Sequence, residues 1–291
     1  IMEKVPESTR FGDMNVPEIV CEDLINHGYK AYWTLLCSAD YGVPQVRERI
    51  FVIAVKSEEN DIELPKPTHR SPYGYVPPYA KQMAQFQKFK HFRTPLAPQE
   101  DSPAWNTVGD AFSDLPVLFP NENSKYVNNP LNIEFPYRKA ASNDFQKMMR
   151  EWYGFDLGTV TANTFRKNVR DFPIFARMKQ GDLFTDASRI ADELFFKKAH
   201  DLGYREGSDE YSQLKRKMVP IYDRDNFAEK WKRLDESKPS HTVVAHLSVD
   251  TYSHIFVADF SKGVISKGKD IMEGEKWESP VRPFGGMEQI A

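Results

Sequence analysis

Two arginines one residue apart, Arg47 and Arg49, stand at the entrance of an apolar run, Ile50 to Val55. They lie within Tyr41-Gly42-Val43-Pro44-Gln45-Val46-Arg47-Glu48-Arg49-Ile50-Phe51-Val52-Ile53. Side chains alternate faces along a strand, so Arg47 and Arg49 share one face, Glu48 takes the other, and the apolar run that follows reads as core. Two guanidinium groups converging on one spot repel unless an anion lies between them. Such a pair is suited to gripping an oxyanion, a phosphate or a base edge. An isolated Arg-x-Arg equally describes two surface arginines at a strand entrance, and the flanking residues must decide.

A second cluster runs from Asn163 through Lys179, where Arg166, Lys167, Arg170, Arg177 and Lys179 face a single carboxylate, Asp171. It follows Gly158-Thr159-Val160-Thr161-Ala162, small and hydrogen-bonding residues that suit a loop approaching base edges closely, and it ends in an expected helix from Phe172 to Met178. A loop running into a helix is one way to read a groove. Asn163 and Arg166 are the first candidates for base contacts, because amide and guanidinium groups pair bidentately with adenine and guanine edges. Thr161, Lys167 and Arg170 complete the candidate surface. The same residues also fit an ordinary solvated helix with charged flanks.

Other chemistries find little support. Cys21 and Cys37 are the only cysteines. Cys21 falls on the apolar face of an expected helix and Cys37 closes an apolar strand, so both read as inert core thiols. The seven histidines show no cysteine or carboxylate at metal-ligand spacing, the nearest pair being His241 and His246. No metal site is expected. There is no Gly-x-Ser-x-Gly elbow and no phosphate-binding glycine loop.

The elements that must position these residues follow from periodicity. A helix is expected from Val16 to His27, a strand from Ala31 to Cys37, and amphipathic helices at Ala80 to Phe89, Thr107 to Ser113, Asp144 to Trp152 and Ala187 to Leu202. A closing strand pair is expected at Ser240 to Leu247 and Thr251 to Ala258, with its turn near Ser248 to Asp250. Residues 1–70 have α/β texture, the Pro- and Tyr-rich stretch at 71–80 reads as a linker, 81–260 as a second domain, and 261–291 as a tail. The 291 residues are 40% hydrophobic and 28% charged with a net charge of -3. Two cysteines argue against a disulfide framework, and no apolar run reaches the roughly 18 to 20 residues of a membrane helix. The expectation is a folded intracellular protein away from the membrane.

Tyr-Gly-Val-Pro followed by Gln45-x-Arg47-x-Arg49 resembles the eighth conserved motif of the DNA (cytosine-5) methyltransferases. Met2-Glu3-Lys4-Val5-Pro6 is similar to the family's Glu-Asn-Val-Pro strand end. Leu64-Pro65-Lys66-Pro67-Thr68-His69 and Thr107-Val108-Gly109-Asp110-Ala111-Phe112-Ser113-Asp114-Leu115-Pro116 have familiar counterparts, and Arg233-Leu234 with Lys238-Pro239-Ser240-His241-Thr242-Val243 resembles the ninth motif. The resemblance covers residues 1 to about 116 and 230 to 255, and leaves a variable middle that the family uses to read DNA. It implies a partial Rossmann-like methyltransferase domain followed by a smaller mixed α+β target-recognition domain. Glu3 would hold N3 and the exocyclic amine of a flipped cytosine, Arg49 would bond O2 and orient Glu3, and Arg47 would sit nearer the nucleophile loop or a phosphate. Gln45 joins the DNA-binding candidates. Arg233 and Thr242 would stabilise the recognition domain.

The resemblance is incomplete. The family's nucleophile lies in a Pro-Cys loop, and neither cysteine here follows proline. No glycine-rich loop follows an opening strand, so the S-adenosylmethionine site is expected mostly outside this chain. Lys4 replaces the family's asparagine, and an ammonium beside Glu3 would disfavour a protonated, donating carboxyl. The chain is therefore expected to be a C-terminal part or subunit of a restriction-modification methyltransferase, inactive alone. Its partners would be double-stranded DNA and a missing N-terminal half or second subunit, in the bacterial cytoplasm at the nucleoid. The alternative is a non-catalytic DNA-binding or regulatory descendant.

Overall fold

The computed structural model describes residues 15–56, 58, 62–72, 83–115, 134–151, 154–155, 158–160, 171–224, 230–243, 254–257, 265–267, 275–277 and 281–283. The chain divides into two compact units, Ile1–Asn106 and Thr107–Ala291. Residues 83–106 thus fall with the first unit, whereas the linker expected at 71–80 lies outside the described residues from 73 onward. Helices and short antiparallel strand pairs alternate, so the described residues form a mixed α/β protein.

In the first unit, helix α1 (Val16–Asn26) carries Pro17 in its first turn, where a missing N–H costs no hydrogen bond, and buries Pro17 and Cys21. Gly28, at φ 85°, turns the chain into strand β1 (Tyr29–Cys37). A 3₁₀ turn (Ser38–Tyr41) leads to the two-residue strand β2 (Gln45–Val46) and then to β3 (Glu48–Lys56). β1 and β3 pair antiparallel from Tyr29 opposite Lys56 to Cys37 opposite Glu48. Residues 91–93 add a short parallel edge to β1: the Trp33 N–H donates to the His91 carbonyl at 3.0 Å, and the Arg93 N–H to the Trp33 carbonyl at 2.9 Å.

Trp33 organises this unit. Its ring lies 4.7 to 5.7 Å from those of Phe86, Phe89 and Phe92, and each such pair adds about 0.5–1.5 kcal/mol beyond the area it buries. Its indole N–H donates to Glu18 Oε1 at 2.5 Å, and the same oxygen accepts the His91 N–H at 3.0 Å, which ties α1 to the sheet. The expectation that Ile50 to Val55 is core throughout is corrected here. Ile50 and Ala54 pack against Ala31 and Trp33, but Phe51 is 46% and Val52 37% exposed. Among the described residues β3 is paired along its β1 edge only, so apolar character there does not bring cover.

The second unit contains helices α2 (Val108–Phe112), α3 (Asp144–Arg150), α4 (Phe172–Arg177), α5 (Phe184–Asp201) and α6 (Asp209–Met218). Strands β4 (Phe135–Pro136) and β5 (Thr159–Val160) pair antiparallel. Strand β6 (Ser240–His241) is followed by β7 (Ile255–Val257), β8 (Ile265–Lys267), β9 (Glu275–Trp277) and β10 (Val281–Pro283), with β7 pairing β10 and β8 pairing β9. The core gathers Val108, Phe112, Phe145, Ile174, Phe175, Phe184, Ile190, Trp231 and Ile255. Trp231 stacks edge-on against Phe175 and Phe184 at 5.2 and 5.5 Å.

Two expectations change in this unit. Among the described residues the strands near 240 and 255 do not pair with each other: Ile255 exchanges backbone bonds with Lys232 and Leu234, both at 2.8 Å, and its strand pairs with β10. The turn expected near Ser248 to Asp250 lies outside the described residues, as does most of 261–291. Helix α6 had no counterpart among the expected elements, although Ser208 caps it, Asp209 and Glu210 fill its first turn and Lys215, Arg216 and Lys217 its last.

Candidate functional site

The strand bearing the two arginines is set by a turn, and the turn is held from several sides. Gly42 caps the 3₁₀ turn at φ 86°, in the left-handed region that favours glycine. A Cβ at this position would lie 2.7 Å from Cε1 of His69, so the imidazole rests directly on the glycine. Asn106 Nδ2 donates to the Gly42 carbonyl at 2.7 Å and lies 3.4 Å from His69 Nε2. An amide nitrogen only donates, so Nε2 accepts and Nδ1–H donates to Thr68 Oγ1 at 2.9 Å. Burial lowers the pKa of His69 from its ordinary value and favours the neutral ring this tautomer requires.

Asp40 completes the clasp. Its carbonyl accepts the N–H groups of Thr68 and His69 at 2.9 and 3.0 Å, and its carboxylate accepts the Trp105 indole N–H at 2.8 Å. Ser38 then fixes the exit toward the arginines. Its hydroxyl donates to the Gln45 carbonyl at 2.6 Å and accepts the Arg47 N–H at 3.2 Å, while its own N–H donates to the Arg47 carbonyl at 3.0 Å. Arg47 therefore sits between β2 and β3, half-buried, with its backbone bonded in both directions. Arg49, opposite Leu36, is exposed and donates through Nη1 to the Glu48 carbonyl at 2.6 Å.

In the second unit the recognisable pieces brace one another. Thr107 caps α2 by accepting the Asp110 N–H at 3.1 Å, and Asp110 accepts the Thr107 N–H at 2.9 Å. Val108 and Gly109 donate to the Lys238 and Glu236 carbonyls, each at 2.9 Å, and a Cβ on Gly109 would meet the Glu236 carbonyl oxygen at 3.0 Å. Asp114, buried, accepts Nε and Nη2 of buried Arg150 at 3.0 and 2.6 Å, and that guanidinium lies 3.8 Å over the Tyr137 ring. Arg233 is buried, donates to the Met178 carbonyl, and bridges through its backbone to Gly181 and Asp182.

Of the expected site residues, Gln45, Arg47 and Arg49 lie together on the clasped segment. Glu3, Thr161, Asn163, Arg166, Lys167 and Arg170 lie outside the described residues. The helix after the basic window does form, as α4, with Ile174, Phe175 and Met178 buried in the core and Arg177 and Lys179 exposed, while the loop before it lies outside the described residues from 161 to 170. The helix's apolar spacing outweighs the charges that flank it. Cys21 and Cys37 are buried free thiols, and burial pushes both up to about 11, so neither is an activated nucleophile. His241 stacks on His254, with ring centroids 4.0 Å apart, and His246 lies outside the described residues.

Sequence reasoning assigned no role to Ser38, His69 or Asn106, although Pro67-Thr68-His69 was singled out as a piece. No group of histidine, cysteine and carboxylate side chains suited to a metal occurs among the described residues. S-adenosylmethionine finds no cradle there either: β1 runs into the 3₁₀ turn, and no described strand enters a glycine-rich turn that opens a helix.

The family model for the C-5 cytosine-specific DNA methylase matches residues 1–205. The protein named "Putative type II methyltransferase M.OihORF3336P", from Oceanobacillus iheyensis, is 43% identical over 261 residues, 88% of this chain and 56% of its own length. Type II methyltransferase M.AgeI of Thalassovita gelatinovora is 26% identical over 281 residues, 87% of this chain and 58% of its own. DNA (cytosine-5)-methyltransferase 1 of mouse is 24% identical over 214 residues, 70% of this chain and 12% of its own. The chain spans a little over half the length of the two bacterial relatives.

Proposed function

Because the chain belongs to the C-5 cytosine-specific DNA methylase family, we propose that it is the C-terminal part or a subunit of a type II DNA (cytosine-5) methyltransferase of a restriction-modification system. The observation that carries this reading is the clasped Gln45-x-Arg47-x-Arg49 segment inside the matched region. In the proposed reaction a thiolate supplied by another portion adds to C6 of a cytosine flipped out of the duplex. The charge pushed onto the ring is then relieved at O2 by Arg49 and at N3 by Glu3. Arg47 lies nearer the nucleophile loop or a target phosphate, and Gln45, Thr161, Asn163, Arg166, Lys167 and Arg170 contact DNA. S-adenosylmethionine, the methyl donor, would be held mostly by a portion outside this chain. Residues 1–70, with 83–106 packed in the same unit, then form the end of a Rossmann-like catalytic domain, and the remainder to about 260 forms the target-recognition domain, working in the bacterial cytoplasm at the nucleoid.

The test joins the full chain with the part of the Oceanobacillus iheyensis relative that it does not span and follows transfer of a labelled methyl group to cytosine. Transfer is expected from the mixture and not from the chain alone. Arg49→Ala should lower it by about 10²–10³, the usual cost of removing one oxyanion donor. Lys4, in place of the family's asparagine, favours a second reading, a non-catalytic DNA-binding descendant. DNA binding by the mixture with no methyl transfer would select it.

A further inference from the structure

We infer that the last turn of α6, Lys215-Arg216-Lys217, is a phosphate-binding surface for duplex DNA, separate from the basic loop at 163–170; this rests on the reading that the chain binds DNA. The α5–α6 hairpin is closed by Phe195, Ala199 and Met218, with Tyr211 and Leu214 packed against them, which fixes the inner face of α6. Lys215, Arg216 and Lys217 are all exposed on the outer side. Successive helical residues stand about 100° apart, so the three cations fan over roughly 200° of the helix circumference.

Among the described residues none of the three has an ion-pair partner, and the carboxylates of the neighbouring helix are otherwise engaged. Asp192 pairs with Arg224, Glu193 with Arg189 at 2.7 Å, and Asp186 with Arg189 at 4.0 Å, while Asp201 lies 3.7 Å from His200 Nδ1. Basic side chains in a last turn also complement the helix dipole, but that end carries only about half a negative charge against three positive ones. The surplus is of order two charges, held on a hairpin packed through Phe195, Ala199 and Met218. A phosphate backbone, with a charge every few ångströms, suits cations fanned over an arc better than one carboxylate does.

Non-specific DNA binding is independent of sequence, so the test needs no knowledge of the recognised word. Binding of the full chain to a random-sequence duplex of about 30 base pairs is measured across a salt series. Each phosphate contact contributes about 0.9 to the slope of log K against log salt. The triple variant Lys215→Gln, Arg216→Gln, Lys217→Gln keeps good helix formers at each position and should lower the slope by about 2.7. The conservative variant Lys215→Arg with Lys217→Arg should retain it. An unchanged slope in the folded triple variant overturns the inference while leaving the DNA reading intact. Absence of any salt-dependent binding by the unmutated chain overturns both. An unchanged DNA slope with loss of binding to polyglutamate would assign the patch to an acidic protein instead, and would also overturn the inference.

Discussion

Replacing Gly42 with alanine tests the clasp on which the paired-arginine segment depends. The backbone at φ 86° costs an L-residue about 1–2 kcal/mol on its own. The new Cβ would lie 2.7 Å from His69 Cε1, so the imidazole must swing away from Thr68 and Asn106, giving up hydrogen bonds of about 1 kcal/mol net. The expected destabilisation is about 2–3 kcal/mol in the unmutated background. In a His69→Ala background the ring is gone and only the backbone cost of about 1–2 kcal/mol remains. The coupling between the two sites should therefore be about 1 kcal/mol, within reach of a double-mutant cycle. Urea unfolding followed by tryptophan emission is a direct assay, because Trp105 donates to Asp40 beside the turn. Hydrogen exchange at the Ser38 and Val43 amides, bonded to the Arg47 and Ser38 carbonyls, would place the effect at the arginine segment. An equal cost of Gly42→Ala in both backgrounds would refute the claim that His69 rests on the turn and holds it.

Two further outcomes are expected. Burial holds His254 near a pKa of about 4 against 6.5 for a free histidine, so between these values the unfolded chain binds a proton that the folded chain refuses. Stability is then complete above about 6.5 and lost as pH falls toward 4, by about 2 kcal/mol between pH 7 and pH 5. Urea midpoints at the two pH values check this, and His254→Gln should flatten the difference. Truncating Arg150 to alanine leaves Asp114 buried without its guanidinium and should cost about 3–5 kcal/mol in thermal or urea unfolding, whereas Arg150→Met with Asp114→Leu should recover most of that loss.

The sequence foretold local elements better than what covers them. α1 and β1 were legible because their apolar spacing repeats over many residues, and α4 because Pro173 opens it and Gly181 follows its end. Periodicity says that Phe51 and Val52 are apolar, but not that a helix lies over them, and it says nothing of which face of α4 the core claims. A hairpin between 240 and 258 was a reasonable reading of neighbouring strands. Among the described residues Ile255 instead bonds to the backbone of Lys232 and Leu234. The clasp could not be read at all, since Asn106 and Gly42 stand 64 positions apart and Trp105, next to Asn106, shares a core cluster with Leu35 and Ala39.

The recognisable pieces divide by role in a way their spelling conceals. In the first unit Pro67-Thr68-His69 supports the turn that leads to Arg47 and Arg49, so a piece without chemistry of its own fixes the one that could have it. In the second unit Thr107 to Asp114 and Arg233 to Lys238 lock together through Val108, Gly109 and Glu236. Replacing any of these by a residue of similar polarity breaks a capping box, fills a gap meant for a glycine, or strands a buried charge. Arg49 differs, because its side chain is exposed and donates to the carbonyl of the adjacent Glu48. The Arg49 side chain can change with little cost to the fold, so a loss of methyl transfer on Arg49→Ala at unchanged stability would separate chemistry from architecture, which the sequence pattern alone cannot do.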